Sequence, residues 1–297
     1  MAMQPHLESL EGMWDTHIHC FDSNLFPFKS TRTYTPAPAP LELLVKQSQS
    51  SRLVLVQASV EDGPTGLLAH LARIRSEYPN LLARGILCLD DNWSQYSQED
   101  FIAFHDLGVR YCRIHGFFGN GKADTASLKE RIRLFAKTYA AKQLGWGLSA
   151  QLPLAIWATL KDFLLHDPEV SSLSIIADHV GCATPADIGS SNLDQFVQLL
   201  RAGRLHVKIS ALYRRAEENI SAMKPIIERF ANSAPSALIW GSDWPHVDSS
   251  GTTLDPKSRM IPKVADPITE LALLQNWLTA DQFRTMLVET PGRLFGP

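Results

Sequence analysis

The sequence has few of the features that mark several large classes of protein. Its four cysteines are dispersed and lack C-x-x-C spacing, which excludes a disulfide scaffold and a cysteine zinc site. The longest apolar runs, such as 53–56 and 174–177, are too short to cross a bilayer. Residues 1–11 have neither a basic start nor an apolar segment, so no signal peptide is expected. These features predict a cytoplasmic protein with reduced, buried thiols.

The charge balance excludes another group of functions. A formal net charge of −3 provides no basic field for nucleic acid or for an anionic membrane surface. The expected partner is therefore a small molecule, and the sequence leaves the oligomeric state open.

Apolar, strand-like runs alternate with helical patterns along the whole chain. The eight runs occupy 13–21, 51–59, 81–89, 109–115, 146–152, 173–179, 205–210 and 238–244. Their near-continuous apolar character indicates strands buried on both faces, as in a parallel sheet. Eight strand–helix units predict an α/β protein in which residues 1–297 form one (β/α)8 TIM barrel domain. An open doubly wound sheet is disfavoured because no G-x-G-x-x-G follows any of the strands.

One long segment interrupts this alternation directly after the first strand. Residues 22–40 contain four prolines and no hydrophobic period, which is incompatible with a regular helix. Long ordered loops in compact domains often cover binding sites. We therefore predict an active-site loop here, with Tyr34 as a substrate contact.

Polar side chains gather where the predicted strands end, which is where barrel enzymes place their active sites. On the first strand, strict alternation would put Asp15, His17 and His19 on one face, close enough to share a metal ion or a substrate. The other strand ends carry Gln57, Ser59, Asp90, Asp91, Arg110, Arg113, His115, Gln151, Asp178, His179, Lys208, Ser210, Asp243 and His246. This concentration predicts a single site around one mouth of the barrel.

Three of these strand ends form motifs: Asp-Thr-His-Ile-His at 15–19, Asp-His-Val-Gly at 178–181 and Trp-Gly-Ser-Asp-Trp-Pro-His at 240–246. Together they resemble the amidohydrolase superfamily. Further motifs at 54–59, 108–113, 208–214 and 291–296 are similar to the amidohydrolase-related (amidohydrolase 2) group, typified by 2-pyrone-4,6-dicarboxylate lactonase. The resemblance implies a lactonase-like hydrolase, and the lactonase group works without a metal.

The sequence leaves two possibilities for a metal cofactor. Metal-dependent superfamily members carry a histidine at the end of strand 5, where this chain has Gln151, and an amide is a poor ligand for Zn²⁺. No cofactor is therefore favoured. The alternative is a single Zn²⁺ or Mn²⁺ held by His17, His19, His179 and Asp243.

The expected substrate follows from the cationic residues. The lactonase has an arginine just after its strand-6 motif, where this chain has Cys182. Arg110 and Arg113 remain to clamp one carboxylate. We therefore expect a cyclic substrate with at most one carboxylate, also contacted by Tyr34, Ser59, Gln151, His115 and His246.

The predicted reaction is hydrolysis of a lactone, an ester or a related carbonyl compound. Asp243 would be the general base, while His17, His19 and His179 would polarise the carbonyl group. The alternatives are a metal-dependent decarboxylase of an aromatic or related acid, another lyase or an isomerase on the same barrel, and a catalytically inactive binding protein.

Overall fold

Eight parallel strands form a barrel in a computed structural model that describes residues 11–32, 34–88, 95–115, 124–247 and 265–296. They pair in sequence order. The strands are β1 (Trp14–Ile18), β2 (Arg52–Val56), β3 (Leu82–Cys88), β4 (Val109–His115), β5 (Gly147–Gln151), β6 (Ile175–Ala177), β7 (His206–Ile209) and β8 (Leu238–Trp240). The (β/α)8 prediction is confirmed.

Helices lie between the strands and after the last one. They are α1 (Leu41–Gln47), α2 (Thr65–Glu77), α3 (Gln98–Leu107), α4 (Thr125–Ala136), α5 (Tyr139–Lys142), α6 (Leu154–His166), α7 (Ser191–Arg201), α8 (Leu212–Arg215), α9 (Lys224–Ser233), α10 (Pro267–Trp277), α11 (Ala280–Arg284) and α12 (Thr290–Phe295). None of the helices in the described ranges is long and apolar enough to span a membrane. The four cysteines are free thiols, and all but Cys88 are buried.

The barrel closes between β1 and the residues that follow β8. The amide of His19 donates to the carbonyl of Trp244 at 2.9 Å, and the amide of Asp243 donates to the carbonyl of His17 at 2.9 Å. Gly241 permits this approach, because a Cβ there would lie 2.6 Å from both the backbone nitrogen and the Cβ of His17.

Apolar side chains fill the barrel interior below the mouth. The interior cluster contains Trp14, Val54, Val56, Ile86, Tyr111, Ile176, Ile239 and Phe295. Phe295 comes from the last helix, α12, and its ring centroid lies 5.1 Å from that of Tyr111. This layer separates the mouth from the opposite end of the barrel.

Where β1 pairs with β2, it contains one extra residue in its paired stretch. Asp15 pairs with Leu53 and Ile18 with Leu55, so three steps along β1 match two along β2. Such a bulge breaks the alternation of side chains. Asp15 does not share the face of His17 and His19, and the strict alternation expected from the sequence is wrong here. Its carboxylate accepts from the backbone nitrogen of Ser242 at 2.9 Å and stabilises the closure instead.

Residues 22–32 and 34–40 form no helix or regular strand, and they pack beside the turn that follows β2. In that turn, Glu61 is buried and accepts a hydrogen bond from the amide of Ala58 at 2.6 Å. The neighbouring Lys29 amide donates to the carbonyl of Val60 at 2.8 Å. Burial raises the pKa of Glu61 to about 8.

Glu61 should make the stability of the protein pH-dependent. Its pKa is about 8 in the folded protein, against an ordinary value of 4.5, so between these values the folded state binds more protons than the unfolded state. We expect the wild-type free energy of unfolding to fall from pH 5 to pH 8, by on the order of a few kcal/mol. Urea denaturation should show a flatter profile for Glu61→Gln and an unchanged slope for the exposed control Glu77→Gln. An equally steep profile in Glu61→Gln would contradict this account.

The closure at Gly241 yields a second prediction. Gly241→Ala forces a methyl group against the backbone of His17 and should lower the free energy of unfolding by about 1–3 kcal/mol. The control is Gly292→Ala in α12, where an added Cβ meets no atom within 4 Å. Chemical denaturation measures the free energy of unfolding of both variants. Equal values would show that the closure between β1 and the residues after β8 tolerates the methyl group.

Candidate active site

The mouth of the barrel brings together seven ionisable side chains and one amide from six strands or the residues that follow them. His17 and His19 extend from β1, Asp178 and His179 follow β6, and Asp243 follows β8. Lys208 lies on β7, Arg113 on β4 and Gln151 at the end of β5. All eight side chains are buried, four of them fully. Such buried charges need partners, and the partners define the site.

Asp243 is held by one oxygen and leaves the other without a partner. The Tyr213 hydroxyl donates to Oδ2 at 2.6 Å, and the Arg214 guanidinium donates to the same atom. Oδ1 has no hydrogen-bond partner among the described residues, and it lies 3.7 Å from His17 Nε2 and 3.9 Å from His179 Nε2. Burial opposes ionisation, but Arg214 and the nearby histidines hold the pKa of Asp243 well below its usual range. Asp243 is therefore a carboxylate with one oxygen facing the site.

Asp178 anchors a second set of charges deeper in the mouth. Its Oδ1 accepts from Ser149 Oγ at 2.8 Å and from Lys208 Nζ at 3.1 Å, and its Oδ2 accepts from Arg113 Nε at 3.1 Å. Burial raises its pKa, but Lys208, His17 and Arg113 overcome this effect and keep the pKa well below the usual range. Asp178 is thus an ionised carboxylate that links strands 4, 5 and 7.

The two histidines of β1 have different surroundings. His17 Nδ1 lies 3.1 Å from Lys208 Nζ, and His17 Nε2 is buried without a partner in the described part of the chain. His19 Nδ1 lies 2.6 Å from the carbonyl oxygen of Val56. A carbonyl oxygen only accepts, so Nδ1 carries the proton of a neutral His19 ring and Nε2 carries a lone pair.

His19 is neutral over the ordinary pH range. Burial, followed by the charge of Arg113, lowers its pKa to about 4. Its Nε2 then accepts a hydrogen bond and does not donate one. This arrangement does not suit the expected role of His19 in polarising a carbonyl oxygen, since that role requires a donor.

His179 occupies an unusual backbone position after β6. Its φ is +54°, in the left-handed region, and the ring Nδ1 lies 2.8 Å from Ser210 Oγ. Its ring centroid is 4.6 Å from that of His17. Burial, helped by the charge of Arg214, outweighs the attraction of Asp243 and lowers the pKa of His179 well below the usual range.

A small cavity opens above these groups. Arg113 donates from Nη2 to Gln151 Oε1 at 3.1 Å, and the Tyr34 hydroxyl hydrogen-bonds the Ser59 side chain. The cavity is lined by His19, Phe21, Tyr34, Ala58, Ser59, Arg113, Gln151, His179, Arg214 and Val247. The structure therefore brings Tyr34, Ser59, Gln151 and Arg113 to the same mouth as the histidines.

Two other expected substrate contacts, Arg110 and His246, lie away from the cavity. Arg110 lies at the start of β4 and donates to the carbonyls of His105 and Val109, at 2.7 and 2.9 Å. It therefore lies at the end of the barrel opposite the site, because the sequence interpretation assigned it to the wrong end of its strand. His246 contacts the Tyr213 ring, with centroids 5.7 Å apart, and does not line the cavity. The side chain of His115 and the residues Asp90 and Asp91 lie outside the described structure.

Several functional contacts have no role in the sequence interpretation. Tyr213 and Arg214 belong to the short helix α8 after β7, and both bond Asp243. Lys208 was visible as a charged residue on an otherwise apolar strand, which is a usable signal. Ser149, a small polar residue inside β5, gave no signal of its contact with Asp178.

Three donors converge in a way that fits one divalent cation. The ligand atoms of His17, His19 and Asp243 lie within 4.8 Å of one another, and both His17 Nε2 and Asp243 Oδ1 are without partners within the described ranges. Two imidazoles and a carboxylate are an ordinary ligand set for Zn²⁺. Gln151, at the fourth expected position, is bonded to Arg113.

Comparisons with known proteins show which sequences this chain is similar to. A sequence model described as amidohydrolase matches residues 14–296. The chain is 30% identical to 4-sulfomuconolactone hydrolase of Hydrogenophaga intermedia, over 100% of this chain and 94% of the relative. It is 24% identical to 2-pyrone-4,6-dicarboxylate hydrolase of Comamonas testosteroni, over 99% and 93%.

Solved structures share the fold. A protein of Agrobacterium tumefaciens superposes with a TM-score of 0.70 at 19% identity, covering 96% of each chain. An amidohydrolase of Burkholderia multivorans, solved with bound zinc, superposes with a TM-score of 0.60 at 15% identity, covering 95% of this chain and 98% of the other. The family match, which covers nearly the whole chain, confirms the resemblance seen in the sequence: this chain belongs to the amidohydrolase family and is a hydrolase.

Proposed function

We propose that this enzyme hydrolyses the ring C–O bond of a lactone, or a related ester, in a small cyclic substrate that carries one carboxylate. The observation that carries the proposal is Oδ1 of buried, ionised Asp243, which has no hydrogen-bond partner among the residues the structure describes and has His17 and His179 within 4 Å. The names of the relatives, hydrolases of sulfomuconolactone and pyrone dicarboxylate, support the same substrate class.

In the proposed reaction Asp243 is the general base. Its Oδ1 takes a proton from a water molecule while the water oxygen bonds to the carbonyl carbon. Tyr213 and Arg214 bond only Oδ2, so they hold the carboxylate in place without occupying the oxygen that reacts. The neutral His19 Nε2 accepts the second hydrogen of the same water and orients it.

His17 and His179 act on the other partner of the reaction. Their Nε2 atoms lie on the Oδ1 side of Asp243, where an N–H group polarises the carbonyl and stabilises the oxyanion. When the tetrahedral intermediate collapses, the ring C–O bond breaks and the proton on Asp243 passes to the departing oxygen. The product is a hydroxy acid, whose new carboxyl group releases one proton to solvent.

The cationic side chains of the cavity support an acidic substrate. Arg113 and Arg214 line it, and Tyr34, Ser59 and Gln151 complete a polar wall. Guanidinium groups bind carboxylates through paired hydrogen bonds. Arg214 thus takes the place that the sequence interpretation gave to Arg110.

The free thiols are consistent with the reducing cytosol, where we place the enzyme.

A divalent metal is the main alternative to this scheme, and it accompanies the second candidate function, decarboxylation of an aromatic or related acid. If bound, a metal would be held by His17, His19 and Asp243, as the distances among their ligand atoms permit. It would supply a Lewis acid and a metal-activated water. We favour hydrolysis without it, because Lys208 at His17 Nδ1 and Gln151 in the strand-5 position both disfavour ligation.

The role of Asp243 predicts a clean separation of binding from turnover. Asp243→Asn removes the base but keeps the side-chain shape, so kcat should fall by about 10²–10⁴-fold while Kd for the product hydroxy acid changes little. Steady-state kinetics measures kcat, and isothermal titration calorimetry measures Kd. Asp187→Asn, in the short helical turn after β6, is the control. A near-normal kcat in Asp243→Asn would remove Asp243 from this role.

The metal question has its own measurement. Elemental analysis of the purified protein should find substoichiometric Zn²⁺ and Mn²⁺, and lactone hydrolysis should persist after chelation and gel filtration. Release of CO2 from aromatic acids, lost on chelation and restored by one equivalent of metal, would instead establish the decarboxylase.

A further inference from the structure

Lys208 is a buried ammonium placed directly beneath the histidine pair. It is 0% exposed, and its Nζ lies 3.1 Å from both His17 Nδ1 and Asp178 Oδ1. Lysine is almost never fully buried unless its charge has a partner. The partner is Asp178, which also bonds Arg113 and Ser149 and is therefore fixed in position. The geometry leaves Lys208 one further acceptor, the ring nitrogen of His17.

An ammonium group has hydrogens to donate and no lone pair. A ring nitrogen that accepts from it must carry the lone pair, so the proton of a neutral imidazole goes to the opposite nitrogen. His17 Nδ1 lies 3.1 Å from the ammonium and accepts from it, so it carries no proton and the ring is neutral. Its proton is then on Nε2, the atom 3.7 Å from Asp243 Oδ1.

We propose that Lys208 is a positioning residue that fixes His17 in the tautomer opposite to that of His19. Lys208 makes His17 Nε2 a donor, while the Val56 carbonyl makes His19 Nε2 an acceptor. The two rings are 5.0 Å apart between centroids, so one His-x-His pair presents a donor and an acceptor side by side. This inference rests on the proposed function for its purpose: the donor serves the carbonyl oxygen and the acceptor serves the water.

The same ammonium opposes a metal at His17. A metal on Nε2 requires the lone pair there and the proton on Nδ1, which would face the ammonium. Metal-bound histidines normally donate their second ring nitrogen to a carboxylate or a carbonyl. His19 meets that requirement through Val56. At His17 Nδ1 the ammonium of Lys208, at 3.1 Å, is nearer than the carboxylate oxygen of Asp178, at 3.7 Å. Lys208 therefore makes His17 suited to polarise a carbonyl group and unsuited to bind a metal.

Imidazole nitrogen NMR of the full-length protein tests the tautomers without any substrate. In protein with ¹⁵N-labelled histidine, His17 and His19 are assigned by the signals lost in His17→Gln and His19→Gln. We expect a protonated Nε2 and an unprotonated Nδ1 for His17, and the reverse for His19. A protonated Nδ1 on His17 overturns the inference, whether or not the protein hydrolyses any lactone.

Lys208→Met tests the cause. Methionine fills the space without donating, so His17 should move its proton to Nδ1, towards Asp178, and calorimetry should show Zn²⁺ binding tightened by about 10-fold or more. The kcat should fall by about 10–100-fold with KM little changed. Lys224→Met on the exposed face of α9 is the control. An unchanged His17 tautomer or Zn²⁺ affinity in Lys208→Met overturns the inference. If this variant does not fold, the nitrogen NMR spectrum of the wild-type protein still shows which ring nitrogen of His17 carries the proton.

Discussion

The mouth of this barrel depends on the buried carboxylate of Asp178. It receives a guanidinium from β4, a hydroxyl from β5 and an ammonium from β7, so three strands meet at one anion. A buried carboxylate without these partners would be costly, and each cation would be equally costly without the carboxylate. The partners therefore fix one another. Arg113 also donates to Gln151, and Lys208 reaches His17, so the wall of the cavity and the His17 ring share one anchor.

The second buried carboxylate, Asp243, is also kept ionised by neighbouring donors, but they are arranged differently around it. Arg214 and the Tyr213 hydroxyl both donate to Oδ2, which keeps the group ionised, while Oδ1 has no partner in the described ranges. Both oxygens of Asp178 accept hydrogen bonds, whereas among the described residues only one oxygen of Asp243 does, which is why we propose that Asp243 reacts and Asp178 does not. Buried polar atoms without partners are rare in folded proteins and often mark functional sites. Here two such atoms in the described part of the chain, His17 Nε2 and Asp243 Oδ1, lie 3.7 Å from each other.

Much of this fold could be predicted from the sequence because apolar strands repeat regularly with helices between them. The sequence also predicts that His17, His19, Asp178, His179 and Asp243 lie at one mouth of the barrel, because polar residues that end apolar runs stand out, and the structure brings them together there. Other features depend on contacts distant in sequence. The bulge in β1 changed the face of Asp15, and the true start of β4 placed Arg110 at the far end of the barrel. The tautomer of His19 is set by the backbone carbonyl of Val56, which no side-chain pattern encodes. That residues 1–297 form one domain stays a prediction.

The central claim is that the mouth hydrolyses a lactone ring through Asp243. The most direct measurement is proton release in a weakly buffered indicator assay, across a panel of carboxylated and neutral five- and six-membered lactones. The account predicts that a monocarboxylated lactone is opened, that one proton is released per hydroxy acid formed, and that chelator-treated enzyme works as fast. Failure to open any lactone on the panel, with CO2 evolution from an aromatic acid in its place, would contradict it.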